Sequence, residues 1–272
     1  MDEETLRELI GTAAADIGGK IEEAFRFMTD YALCDLSVDA RKANMSFQTY
    51  LSDYEAPYLF LDADGSSDDI LDLAHEFGHY CEAYVNENAY ETIDLAEVYS
   101  QAMEYLLLSQ LREQLDEEEA DNLARIKMID TVEMYVQQAS FAAFEHEVYA
   151  LGANRLDAET INEIARRTAI DYGYYDEAYD AFYAKSWVDI VHFFEQPFYV
   201  VSYPVSNDLA LQLYALERAQ SGAGMERYLS VLERDFSALL GLVDEGGFQS
   251  PFDEGRVAQT AALAREVLGL SQ

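Results

Sequence analysis

The segment Leu73-Ala74-His75-Glu76-Phe77-Gly78-His79-Tyr80 holds two histidines four residues apart, with a glutamate directly after the first. On a helix, residues four apart stand one turn above each other, so both imidazoles face one point in space. Two such imidazoles can share a tetrahedral zinc ion, and the glutamate beside them can hold and deprotonate a water at the metal. The chemistry implied is hydrolysis. With four histidines and 29 glutamates among 272 residues, a shuffled chain would carry the pattern with a probability of roughly 0.005. The plainer alternative is a helix with two histidines satisfied by their neighbours.

Zinc also needs a third protein ligand and an open position. His146 and His192 are the remaining histidines, so a carboxylate has to be considered. The stretch Ile93–Glu104 sets Asp94, Glu97, Gln101 and Glu104 on one stripe at helical spacing. Leu95, Ala96, Val98, Ala102 and Met103 surround that stripe, and Leu106, Leu107 and Leu108 follow it. A helix this apolar is buried on most sides, and polar groups on it need partners that a metal site would supply. A stripe that simply faces water is the competing reading.

These residues need elements to carry them. Helical spacing runs over 3–31 with a weak point at Gly18-Gly19, and again over 68–84, where Ser66, Ser67 and the acids after them supply helix-start chemistry. Residues 44–51 alternate like a strand, and 57–62 look like its partner. Further helices are predicted over 92–113, 116–151, 158–171, 175–192 and 205–220, with more toward the C-terminus. The fold class is therefore mostly α, with a small β-hairpin in front of the histidine helix. No repeat or linker divides residues 1–272, which read as a single domain.

Composition narrows the partners. A net charge of -36, from 53 acids against 17 bases, repels phosphate backbones and anionic lipids, so nucleic acid and membrane surfaces are not expected. Solubility is the main reading of the acid excess, and adaptation to high salt a weaker one. Cys34 and Cys81 make no disulfide framework. Cys81 reads as a small apolar filler and His146 as a surface or supporting histidine. The start Met1-Asp2-Glu3-Glu4 is unlike a signal peptide, which points to the cytoplasm.

Several segments together resemble the oligoendopeptidase F and thimet oligopeptidase family of zinc peptidases. Ala56–Leu61, then Asp68-Asp69-Ile70, then the histidine motif follow the family's order. Leu95-Ala96-Glu97-Val98 is similar to the segment that delivers the family's glutamate ligand, and Glu104 to a later acid. Val136–Glu145, Trp187–Phe194 and Pro197–Tyr203 resemble later family segments. The resemblance covers residues 40–215 well.

It implies a zincin-like catalytic domain with one zinc per chain on His75, His79 and Glu97. It implies Glu76 as general base, and His192, Tyr203 and Tyr199 as groups that stabilise the transition state. The implied activity is that of a metalloendopeptidase acting on short peptides. A peptide-binding or structural remnant with little turnover, or a fragment of a longer peptidase, is the alternative. Three features depart from the family's pattern. Seventeen residues between His79 and Glu97 are fewer than usual, Ala143 stands where an acid is expected, and the length matches only the family's C-terminal half. The expectation is that the N-terminal lobe is absent, and that the aromatic surface around 172–203 either self-associates or meets a separate lobe.

Overall fold

In the computed structural model, all residues are described except 43–44, 88–92, 113, 235 and 271–272, along with the side chains of Ile93 and Ala153. The chain falls into two compact units. The first comprises Met1–Met128 and Ser206–Gln272, and the second Ile129–Val205.

In the first unit, α1 (Glu3–Ile17) and α2 (Gly19–Asp30) are separated at Gly18, as the glycine pair predicts. Gly18 and Gly19 both take positive φ, 73° and 55°, which costs glycine little. The Asp2 side chain caps α1 by accepting from the Thr5 N–H. Next come β1 (Cys34–Asp35), β2 (Phe47–Leu51) and β3 (Ala56–Phe60). Strands β2 and β3 form the expected hairpin, antiparallel with Phe47 opposite Phe60 and Leu51 opposite Ala56. The short β1 adds to β3 in parallel, so the sheet order is β1-β3-β2.

Helix α3 (Asp69–Asn86) carries the histidine motif, and α4 (Ile93–Leu111) carries the acidic stripe. The expected serine cap of α3 does not form. The N-cap residue is Asp68, whose side chain makes no cap bond; the Ser66 hydroxyl accepts from the Asp68 N–H at 3.3 Å, and the buried Asp69 carboxylate accepts from the Asp64 and Gly65 N–H groups at 3.1 and 2.9 Å. Asp69 thereby turns the incoming loop back on the helix, and Ser66 bonds within that loop rather than at the cap position.

Helices α3 and α4 pack closely because of Gly78. A Cβ there would meet Ser100 Cα at 2.6 Å and the Tyr99 carbonyl oxygen at 2.7 Å. Phe77, Tyr80 and Cys81 from α3 and Val98, Met103, Leu106 and Leu107 from α4 are buried in this core. The predicted starts at 44 and 92 and the predicted end at 113 lie outside the described residues.

Helix α5 (Glu117–Ala150) contributes residues as far as Met128 to the first unit and the rest to the second. In the second unit, α6 (Ala158–Asp171) matches its predicted span. The single helix expected over 175–192 is not formed. In its place stand α7 (Asp180–Tyr183), α8 (His192–Glu195) and short 3-10 turns at 177–179, 186–189 and 199–201.

Local side-chain bonds interrupt that helix. The Asp176 carboxylate accepts from the Ala178 N–H, and Asp180 accepts from the Arg166 side chain and the Tyr175 hydroxyl. Such bonds give the backbone an alternative to the helical ladder. The unit's core is Phe144, Ile164, Ala165, Phe193 and Val200, with Phe141, Trp187 and Ile190 packed against it. The chain then enters α9 (Ser202–Ala219), which leads back into the first unit, followed by α10 (Ala223–Leu232), α11 (Leu239–Gly246) and α12 (Arg256–Val267). No described helix is long and apolar enough to cross a membrane.

Candidate metal centre

His75 and His79 stand one turn apart on α3, their ring centres 4.9 Å apart and their planes nearly perpendicular at 81°. Glu97, one turn into α4, turns its carboxylate toward both rings. His75 Nε2 lies 3.6 Å from Glu97 Oε2, and His79 Nε2 lies 4.0 Å from Glu97 Oε1. One donor atom from each of the three residues falls within 4.8 Å of the others. A tetrahedral site with metal–ligand bonds of about 2 Å has donor–donor edges on the order of 3.3 Å, so small side-chain rotations bring these three donors to that spacing. Two imidazole nitrogens and a carboxylate oxygen are also the donor types that zinc takes in sites with an open position.

The surroundings are polar where the donors need support and apolar elsewhere. Glu97, Gln101 and Glu104 are all buried and Asp94 is half-buried, so the α4 stripe from Glu97 onward faces the interior rather than water. The Ser100 hydroxyl lies 3.2 Å from Glu97 Oε2 and can hold that carboxylate in place. Glu104 Oε1 lies 2.8 Å from His75 Nδ1. A carboxylate only accepts, so Nδ1 carries the proton, and in neutral His75 the lone pair falls on Nε2, facing Glu97. Lys127 pairs with the other Glu104 oxygen, Oε2.

Sequence reasoning gave Ser100 and Lys127 no role. A signal for Lys127 was present: Ala120, Leu123 and Lys127 fall at i, i+3 and i+7 on one buried stripe of α5, where a lysine needs a partner.

The charges respond to this packing. Burial lowers the affinity of His75 for its proton, but the Glu104 hydrogen bond and the charges of Glu104, Glu97 and Glu76 outweigh it and lift the imidazole to about 9. His79 is pushed down, by burial first and by the charge of His75 second. Burial drives Glu76 up to about 7, helped by Glu97, Asp72 and Glu104 and opposed by His75. Burial would also raise Glu104, but Lys127 and His75 more than reverse this and hold it below the ordinary carboxylate range. Glu76 is 7% exposed, and its Oε2 has no hydrogen-bond partner among the described residues. An orphaned buried carboxylate oxygen next to three converging donors fits a site built to take a metal ion and a water.

The other expected site residues lie in the second unit. His192 opens α8, Tyr199 lies in the turn at 199–201, and Tyr203 sits in the first turn of α9. Their rings cluster, with His192 4.5 Å from Tyr199, Tyr199 5.1 Å from Tyr203, and His192 6.3 Å from Tyr203 between ring centres. Phe198, in a left-handed conformation at φ 64°, donates its backbone N–H to Glu145 Oε1 at 2.9 Å and so sets the entry to this turn. His146 is exposed, and Cys81 is buried as a filler in α3.

Comparison with known proteins shows what the chain is similar to. Residues 20–237 match the description of Peptidase family M3. Over 250 residues the chain is 26% identical to the chromosomal oligoendopeptidase F of Lactococcus lactis subsp. cremoris, covering 85% of this chain and 39% of that protein. Among solved structures, PZ peptidase A with a bound inhibitor superposes with a TM-score of 0.83 at 23% identity, covering 99% of this chain and 49% of that one. A protein assigned as oligoendopeptidase F from Bacillus anthracis str. Ames gives 0.82 at 24% identity, covering 99% and 46%. The chain thus spans less than half the length of each of these relatives.

Proposed function

This chain belongs to peptidase family M3, and we propose that it is the catalytic half of a zinc-dependent metalloendopeptidase that hydrolyses short peptides. The observation that carries the reading is the convergence of His75, His79 and Glu97 from two helices, with the orphaned carboxylate of Glu76 beside them. His75, His79 and Glu97 would hold one zinc ion. When bound, zinc supplies Lewis-acid chemistry, acidifying a water and polarising the scissile carbonyl.

The protein's own residues do the rest. Glu76 takes the proton of the attacking water and later hands it to the departing amine. Burial raises the proton affinity of this carboxyl above that of an exposed glutamate, which favours its role as an acceptor. Water attack on an amide makes a tetrahedral oxyanion that needs donors. The imidazole N–H of His192 and the hydroxyl of Tyr203 are assigned that task, with Tyr199 beside them in the ring cluster. The order of these segments along the chain supports the assignment.

Exposed apolar side chains in the second unit, among them Tyr179, Phe182 and Phe194, support a further part of the reading. This surface would be covered by an N-terminal lobe or by a second copy.

The test is zinc content and turnover of a mixed peptide library on one purified sample. The reading requires about one zinc per chain and measurable cleavage, with both lost in His79→Ala, since two remaining ligands make a weak site. Cleavage that survives complete removal of metal would overturn it.

A further inference from the structure

We infer that Lys127 is a positioning residue for the metal centre, acting through Glu104 on His75; the inference rests on the zinc reading above. Lys127 connects to the candidate ligands through a relay. Its ammonium pairs with Glu104 Oε2, and Glu104 Oε1 lies 2.8 Å from His75 Nδ1. His75 Nε2 then faces Glu97 across 3.6 Å. Each Glu104 oxygen therefore has one partner, and the carboxylate is held from both ends.

The relay is enclosed. The side chains of Lys127 and Glu104 are 11% and 9% exposed. The Lys127 ammonium also lies 5.1 Å from the centre of the Tyr105 ring, and the Tyr105 hydroxyl donates to Asn207 Oδ1 at 3.1 Å. The ring fixes the cation from a second side.

The chain has four lysines against 53 acids. The side chains of Lys42 and Lys127 are 7% and 11% exposed, and among the described pairs only Lys127 meets a carboxylate that is buried as well, Glu104 at 9% against 36% for Asp35. With so many exposed carboxylates on offer, a lysine buried on one particular glutamate is a specific arrangement. A buried ion pair is also weak evidence of stability, since desolvation offsets much of its attraction. What it does supply is orientation: a carboxylate fixed at one oxygen presents the other in a defined direction. Glu104 needs that direction, because a histidine ligand is set in tautomer and ring angle by what its second nitrogen bonds. Without Lys127 the Glu104 carboxylate could rotate, and His75 would lose a fixed Nδ1 partner.

The experiment measures the zinc dissociation constant of the full chain by competition with a chromogenic chelator. It compares wild type, Lys127→Met, Lys127→Arg, Glu104→Gln and the Lys127→Met/Glu104→Gln double variant. Loss of an outer partner of a metal-bound histidine typically weakens metal affinity about 10- to 100-fold. Glu104→Gln should fall in that range and Lys127→Met near its lower end. Lys127→Arg should restore affinity to within about threefold of wild type, because it keeps a buried cation on Glu104.

The double variant should bind no more weakly than Glu104→Gln alone, since Lys127 acts on the metal centre through that carboxylate. The visible spectrum of the cobalt-substituted protein should change in Lys127→Met and return in Lys127→Arg. Should Lys127→Met fail to fold, Lys127→Gln, a neutral donor, carries the same comparison. Wild-type affinity in the neutral variants, or losses that multiply in the double variant, would overturn the inference and leave the zinc reading standing. A wild-type chain that binds no zinc through His75 and His79 ends both.

Discussion

The two units hold their candidate residues in opposite ways. In the first, the donors project from two long helices, α3 and α4, that touch across Gly78, and His75 and Glu97 have the buried Glu104 and Ser100 behind them. In the second, His192 and Tyr199 come from short turns and Tyr203 from the first turn of α9, and much of the aromatic side-chain surface around them is exposed. Regular helices fix a side chain to within a fraction of an ångström through many shared backbone bonds. Short turns rely on ring contacts and single bonds such as Phe198 N–H to Glu145. A metal site, which tolerates little error in ligand position, belongs on the first kind of support. Groups that meet a substrate only in the transition state can be carried by the second.

The largest effect tests the division of labour within the first unit. Glu76→Gln should keep zinc and lower kcat by about 10²- to 10⁴-fold, as expected for loss of a general base. Zinc analysis and peptide kinetics on the same sample check this, and metal loss in this variant would contradict the role given to Glu76. The next prediction asks whether the second unit takes part in the chemistry at all. His192→Ala and Tyr203→Phe should each lower kcat by about 10- to 1,000-fold with smaller changes in KM, and Tyr199→Phe by less. Full kcat in both of the first two would reduce the ring cluster to packing.

Gly78→Ala examines the helix contact. A Cβ would lie 2.6 Å from Ser100 Cα, and backbone there yields only if the helices separate. A loss of about 1–3 kcal/mol is expected, along with weaker zinc binding as Glu97 moves from the histidines. Denaturant unfolding and chelator competition would show it, and a stable variant with unchanged zinc affinity would mean the approach of α3 and α4 is not what sets the site.

The smallest effect is in pH dependence. In chelator-treated protein His75 is lifted from 6.5 to about 9 and Glu76 from 4.5 to about 7. Both folded-state values lie above the unfolded ones. The stability from these protons is therefore complete below pH 4.5 for Glu76 and below 6.5 for His75, and is lost as pH rises through about 7 and about 9. The melting temperature of metal-free wild type should fall more steeply from pH 6.5 to 9 than that of metal-free His75→Gln. Zinc should reduce the fall, because it takes the place of the His75 proton. Equal slopes with and without His75 would remove this account.

How much could be read without the structure differs by element. The break at Gly18-Gly19, the hairpin, the span of α6 and the shared face of His75 and His79 all follow from local periods of two and 3.6 residues and from glycine's tolerance of positive φ. Each depends on neighbours in the chain, so the amino-acid sequence by itself determined them. The mostly α class and the wish of the α4 stripe for buried partners were legible for the same reason.

Tertiary structure decided the rest, because it turns on groups that only packing brings together. The Asp69 carboxylate took the loop amides that a serine cap would have left alone. Asp176 and Asp180 closed short turns where apolar spacing alone suggested one helix over 175–192, because their side-chain bonds to backbone and to Arg166 compete with the helical ladder. Glu97 faces the histidines because Gly78 lets two helices approach. Lys127 reaches His75 across the chain through Glu104, and no spacing rule connects residues that meet only once the helices are packed.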